Sequence, residues 1–112
     1  MTTWSEFCEA APDLAVMTQD RLTAHKHVTM ATIRRDGAPR ISGTEVVLRS
    51  GEMWLAGMNG ARRFADLRRD RRVAVHSASE DPDLWTGDAK VSGLAVPTSD
   101  PADYRRFAED LD

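Results

Sequence analysis

The residues best suited to chemistry lie in one short run, Gly57-Met58-Asn59-Gly60-Ala61-Arg62-Arg63. Glycines at 57 and 60 mark a turn, and the segment from 61 to 70 carries apolar residues at helical spacing. Asn59 or Gly60 is expected to cap that helix, which puts Arg62 and Arg63 in its first turn. The start of a helix carries partial positive charge and unpaired N–H groups, so acidic side chains are favoured there and arginines are not. An anion would remove the conflict, because a phosphate accepts backbone N–H groups and a guanidinium fork together. Glycine at 57 and 60 would let the backbone come close to it. In the plainer reading Arg62 pairs with Asp66 one turn on and Arg63 is solvated, an arrangement that contributes about 0–1 kcal/mol. Both readings stand on these residues alone.

The elements that must hold this run can be read outward from it. Thr3 and Glu6 form a T-x-x-E capping box, which predicts a short helix over Trp4–Ala10. Pro12 opens a second helix to about Ala24, with Leu14, Met17 and Leu22 as its apolar face and His25-Lys26-His27 at its close. From Val28 to Ile33 the pattern alternates as strands do, and Asp36-Gly37 predicts a hairpin. A second strand runs from about Arg40 to Leu48, with a bulge or bend at Ser42-Gly43. Ser50-Gly51 turns the chain into a third strand, Glu52–Ala56. The helix over 61–70 is expected to bury Ala61, Phe64 and Leu67, with Ala65 beside them. Val73–Ser77 and Ala89–Val96 read as the fourth and fifth strands, separated by an acidic loop that holds Trp85. Asp100 is expected to cap a last helix with Tyr104 and Phe107 as its contacts. An antiparallel meander interrupted by helices is an α+β arrangement, its sheet curling toward a barrel.

Bulk properties narrow the function. A chain of 112 residues, 41% of them apolar, has room for one domain over 1–112 with a modest core, and oligomerisation commonly adds buried area to such a domain. The net charge of −3 argues against nucleic acid as a partner, although six arginines crowd residues 62–72. That run reads as a solvated helix face, with Arg68, Arg69, Arg71 and Arg72 pairing with Asp66 and Asp70. Cys8 is the only cysteine, which fits a reducing cytosol. No signal peptide or membrane span is legible, so a soluble cytoplasmic protein without a membrane partner is expected. His25 and His27 lack metal-ligand spacing, and no G-x-S-x-G elbow is present, so neither a metal nor hydrolase chemistry is expected. His76 alternates with Val73 and Val75 on the fourth strand and reads as a structural or surface histidine, while Trp54 reads as core.

The order of elements carries a resemblance. The strand–turn 28–46, the strand–turn–helix EMWLAGMNGARRFADLRRDRRVAVH over 52–76 and the strand GDAKVSG over 87–93 resemble the pyridoxamine 5′-phosphate oxidase-like family. These are flavin-binding split β-barrels and include the reductases that use the deazaflavin coenzyme F420. The resemblance covers about two-thirds of the chain, and its middle block is the most specific part. It implies an antiparallel split barrel with flanking helices, a homodimer with the cofactor at the interface, and FMN, or alternatively F420, as cofactor. By that resemblance Gly57, Met58, Ala61, Arg62 and Arg63 hold the phosphate, and Thr44, Glu45 and Val46 lay their backbone along the ring system. Lys90 on the fifth strand reaches toward the partner's site, and Trp85 would cover the cofactor, dock on the partner or fill a cleft. The implied activity is an FMN- or F420-dependent oxidoreductase acting on a small organic substrate. A non-catalytic cofactor-binding module or degenerate relative is the alternative, and no catalytic residue is assigned. Three departures from the family pattern stand out. The turn lacks the usual Ser or Thr, the basic pair is Arg-Arg, and the family's usual last strand is not expected before residues 109–112.

Overall fold

A computed structural model describes residues 2–49, 51–58, 60–79, 83 and 87–98. Helix α1 (Trp4–Ala10) starts as its capping box dictates: the Thr3 side chain accepts from the Glu6 N–H, and the Glu6 carboxylate accepts from the Thr3 N–H. Helix α2 (Pro12–Thr23) follows at once. Its buried residues are Ala15, Thr18 and Leu22, while Leu14 and Met17 are 54% and 65% exposed, which corrects the expected apolar face. Small side chains let the helix sit close to its neighbours. Thr18 is tolerated there because its hydroxyl donates to the Leu14 carbonyl at 2.8 Å.

Strands β1 (Val28–Ile33), β2 (Pro39–Arg49), β3 (Glu52–Ala56), β4 (Arg72–His76) and β5 (Lys90–Leu94) form one antiparallel sheet in the order β3-β2-β1-β4-β5. The hairpin between β1 and β2 turns at Gly37, whose φ of 86° lies in the region open to glycine. Asp36 stabilises it by accepting from the Ala38 N–H at 3.0 Å. No bulge interrupts β2 at Ser42-Gly43. Residues 39–44 of β2 pair with β1 in unbroken register, and residues 45–49 pair with β3. One long strand therefore passes from one neighbour to the other, and the sheet curls at that changeover.

Helix α3 (Arg62–Arg69) carries the chain from the β3 edge across the inner face to β4, and it packs on β1. Leu67 is its buried apolar residue, Phe64 and Ala61 are half-buried, and Ala65 is exposed rather than buried. The core gathers Leu22, Val28, Met30, Val46, Leu67 and Val75. Trp54 is only half-buried at its rim. Among the described residues no helix is long and apolar enough to cross a membrane. The expected cap Asn59, the loop tryptophan Trp85 and the last helix with Asp100, Tyr104 and Phe107 lie outside the described residues.

Candidate functional site

The start of α3 departs from helix preference in three ways. Its N-cap is Ala61, not a glycine or asparagine, and no side chain caps it. Its first turn holds no acidic residue, and Arg62 and Arg63 occupy that turn instead. Successive helical residues point about 100° apart, so the two arginines part company. Arg62 is exposed and faces the β1–β2 hairpin, in a basin it shares with Arg34, Arg35, Arg40 and Arg69. Arg63 folds back over Gly57, and its guanidinium carbon lies 4.8 Å from the centre of the Phe64 ring. The Arg63 Nε is buried and has no hydrogen-bond partner among the described residues. A buried donor without a partner costs about 1–3 kcal/mol, so this position invites an acceptor.

Arg62 does not pair with Asp66, which corrects the plainer expectation. Asp66 is 3% exposed, and its Oδ2 accepts from Arg40 Nε at 2.7 Å and from the Thr32 hydroxyl at 2.8 Å. Its Oδ1 accepts from Arg69 Nη2 at 3.1 Å, and the same nitrogen donates to the Ile33 carbonyl at 2.7 Å. The hydrogen bond from Arg40 is the main cause that holds the Asp66 carboxyl down at about 2, against the opposing pull of burial. This network fastens α3 to the hairpin and leaves Arg62 available. Of the other expected pairs, Arg72 binds Asp70 at 2.6 Å, while Arg71 Nε donates to the Ala95 carbonyl at 3.0 Å.

The remaining candidates fall into two groups. Gly57, Met58 and Lys90 line one broad groove of about 1970 Å³, together with Trp54, Phe64 and Asp88. Met58 is 81% exposed there. Thr44, Glu45 and Val46 straddle the changeover of β2 between β1 and β3 and do not line the groove themselves, although Ala56 and Leu55, which pair with Glu45 and Val46, do. Thr44 is buried, with its hydroxyl donating to the Ala56 carbonyl at 2.9 Å, and Val46 belongs to the core. Glu45 points outward toward Lys26 and His27, each 3.8 Å away. A ligand at Thr44 or Val46 would meet backbone, because both side chains are buried, whereas at Glu45 it would also meet a part-exposed carboxylate.

Two features were not legible beforehand. Ser42 Oγ is buried and, like Arg63 Nε, has no partner among the described residues. His76 is engaged through both ring nitrogens: Nε2 lies 2.9 Å from Asp88 Oδ2 and Nδ1 lies 2.7 Å from the Ser77 carbonyl oxygen. The signal for that pair was faint, since Asp88 precedes β5 and meets His76 only through the β4–β5 register. Among the described residues no three His, Cys, Asp or Glu side chains gather as a metal site would require.

A curled antiparallel sheet crossed by one helix, with α1 and α2 beside it, has the architecture of a split barrel. The family model described as pyridoxamine 5′-phosphate oxidase matches residues 17–111, and the chain belongs to that family. Its fold is similar to that of a conserved hypothetical protein from Mycobacterium tuberculosis, with 26% identity, a TM-score of 0.64, and 84% of this chain and 57% of that one covered. A heme binding protein from Mycobacterium smegmatis is similar at 20% identity and a TM-score of 0.62, covering 82% of this chain and 39% of that one. HutZ, the heme storage protein from Vibrio cholerae, is similar at 17% identity and a TM-score of 0.61, covering 88% of this chain and 71% of that one. The chain thus spans about half the length of the first two of these structures. A search among curated proteins finds no match.

Proposed function

We propose that this chain binds a phosphorylated flavin, FMN or alternatively coenzyme F420, as a homodimer and serves as an oxidoreductase for a small organic substrate. One observation carries the reading: the buried, unpartnered Arg63 Nε beside Gly57, at a helix start with no acidic residue. These residues fit a phosphate. Arg63 would donate from its Nε, the first turn of α3 would offer N–H groups, and Gly57 leaves room for the guanidinium that lies over it. The Gly57, Met58 and Ala61 turn has no hydroxyl to add, so backbone and guanidinium must supply the hydrogen bonds. Thr44, Glu45 and Val46 would border the ring through their backbone, and Lys90 would serve the partner's site. When bound, the flavin supplies hydride or electron transfer, and the chain supplies position and electrostatics. No catalytic acid or base is assigned.

The family assignment supports a cofactor-binding role, and two of the structural neighbours are named for heme. His76 is not free to ligate heme in this conformation, because both of its ring nitrogens are already engaged. A non-catalytic cofactor-binding module is the second reading, favoured by the turn's lack of hydroxyl ligands. Visible absorption titrations of the protein with FMN and with F420 test binding. Reduction of bound cofactor by a nicotinamide or by reduced deazaflavin then separates the enzyme from the module. No spectral change with either cofactor contradicts the proposal.

A further inference from the structure

We infer that the basin between the β1–β2 hairpin and α3 is a second anion site, built for a small multiply charged anion such as a di- or triphosphate or a polycarboxylate. Three elements converge on it: the turn residues Arg34, Arg35 and Asp36, Arg40 of β2, and Arg62, Asp66 and Arg69 of α3, around about 410 Å³. Five guanidinium groups face two carboxylates, a local surplus of three positive charges on a chain whose net charge is −3. The two carboxylates are already engaged. Arg34 lies 3.3 Å from Asp36, and Asp66 is saturated by Arg40, Arg69 and Thr32. Arg35 and Arg62 are exposed and have no ion-pair or hydrogen-bond partner among the described residues. Asp66 therefore acts as an organiser. It fixes Arg40 and Arg69 at the floor, and the free pair at the rim supplies the attraction.

The basin opens on the side of α3 opposite the Gly57 groove, and a singly charged ligand would not use its whole surplus. A compact anion with two or more charges would meet Arg35 and Arg62 together across the hairpin–helix gap. Guanidinium forks suit phosphate and carboxylate oxygens equally, so the ligand's source must be settled by the probe. Arg62 is the one residue shared with the phosphate set that the family resemblance implies, and Arg35 belongs to this basin alone, so the inference does not rest on the flavin reading.

The test is a backbone amide NMR titration of the full chain with inorganic triphosphate and, separately, with citrate. Saturable shifts confined to residues 34–40 and α3, with a Kd of about 1 mM or tighter, are the expected result. A stronger response to triphosphate identifies a phosphate ligand, and a stronger response to citrate identifies a polycarboxylate. Arg35→Ala should weaken binding about tenfold, and Arg35→Lys less. Arg68→Ala removes an equal charge from α3 on its groove-facing side, so it should leave binding unchanged. Absence of saturation overturns the inference, as does equal weakening by Arg68→Ala and Arg35→Ala. Tighter, length-dependent binding of RNA or DNA in place of triphosphate also overturns it. Loss of FMN binding with the triphosphate response intact would sink the proposed function and leave this site standing.

Discussion

The guanidinium of Arg63 occupies the space in front of Gly57: a Cβ at Gly57 would collide with Arg63 Nη2 and lie 3.0 Å from Phe64 Cε2. The absence of a Cβ here lets the end of the Arg63 side chain lie against the backbone. Gly57→Ala should push the guanidinium off its seat and weaken cofactor binding about tenfold, with the circular dichroism spectrum unchanged. Flavin fluorescence quenching reads the affinity. Wild-type affinity in the alanine variant would show that Arg63 is not held in place by the turn.

The Asp66 network makes a stability prediction. Replacing Asp66 by Asn leaves Arg40 and Arg69 without a carboxylate in a partly buried setting, at a cost of about 2–3 kcal/mol. Thr32→Val removes one hydrogen bond to the same carboxylate and should cost about 1 kcal/mol. Urea unfolding measures both. Equal, negligible losses would mean that the clamp between α3 and the hairpin is ornamental.

The same carboxylate sets an acid limit. Its folded-state pKa of about 2 lies below the ordinary aspartate value of 3.8, so its stabilisation is fully present above about pH 4. It is lost as pH falls through the folded value. Asp70, held low chiefly by its hydrogen bond from Arg72, acts in the same sense at the surface. Thermal unfolding should show the midpoint dropping between pH 4 and pH 2, with a shallower drop in Asp66→Asn. Identical slopes in the two proteins would remove Asp66 from the account.

Much of this architecture was legible from local signals. The Thr3–Glu6 box, Asp36-Gly37 and the alternation of Val28–Ile33 act within a few residues, and each element formed where its own chemistry directed. What was hidden depended on distant partners. Asp66 looked like an exposed partner for Arg62 because helical spacing is visible in a sequence, whereas Thr32 and Arg40 reach it only after the hairpin packs on α3. Leu14 and Met17 looked like core for the same reason, and the groove they border is a property of the assembled sheet. The anomaly of arginines at a helix start was legible, but the divergence of Arg62 from Arg63 was not. A one-residue step on a helix decides which cavity each side chain enters.

The homodimer in the proposal has a surface to test. Ile41 is 75% exposed on the outward face of β2, opposite the inward Arg40 and Ser42. A single exposed aliphatic side chain is ordinary on a protein surface, and it is the proposed homodimer that assigns this one to the seam between two copies. Ile41→Arg should convert a dimeric species to a monomer in sedimentation velocity while keeping its secondary structure. A wild-type protein that sediments as a monomer at all concentrations would exclude this interface.

The most direct measurement compares FMN with riboflavin, which differ by the phosphate alone, in the wild type and in Arg63→Ala. The account predicts that the wild type prefers FMN by at least tenfold, about 1.4 kcal/mol, and that Arg63→Ala loses most of that preference while binding riboflavin as before. Equal affinity for the two flavins in the wild type, or an unchanged preference in the variant, would contradict the assignment of the α3 start to a ligand's phosphate.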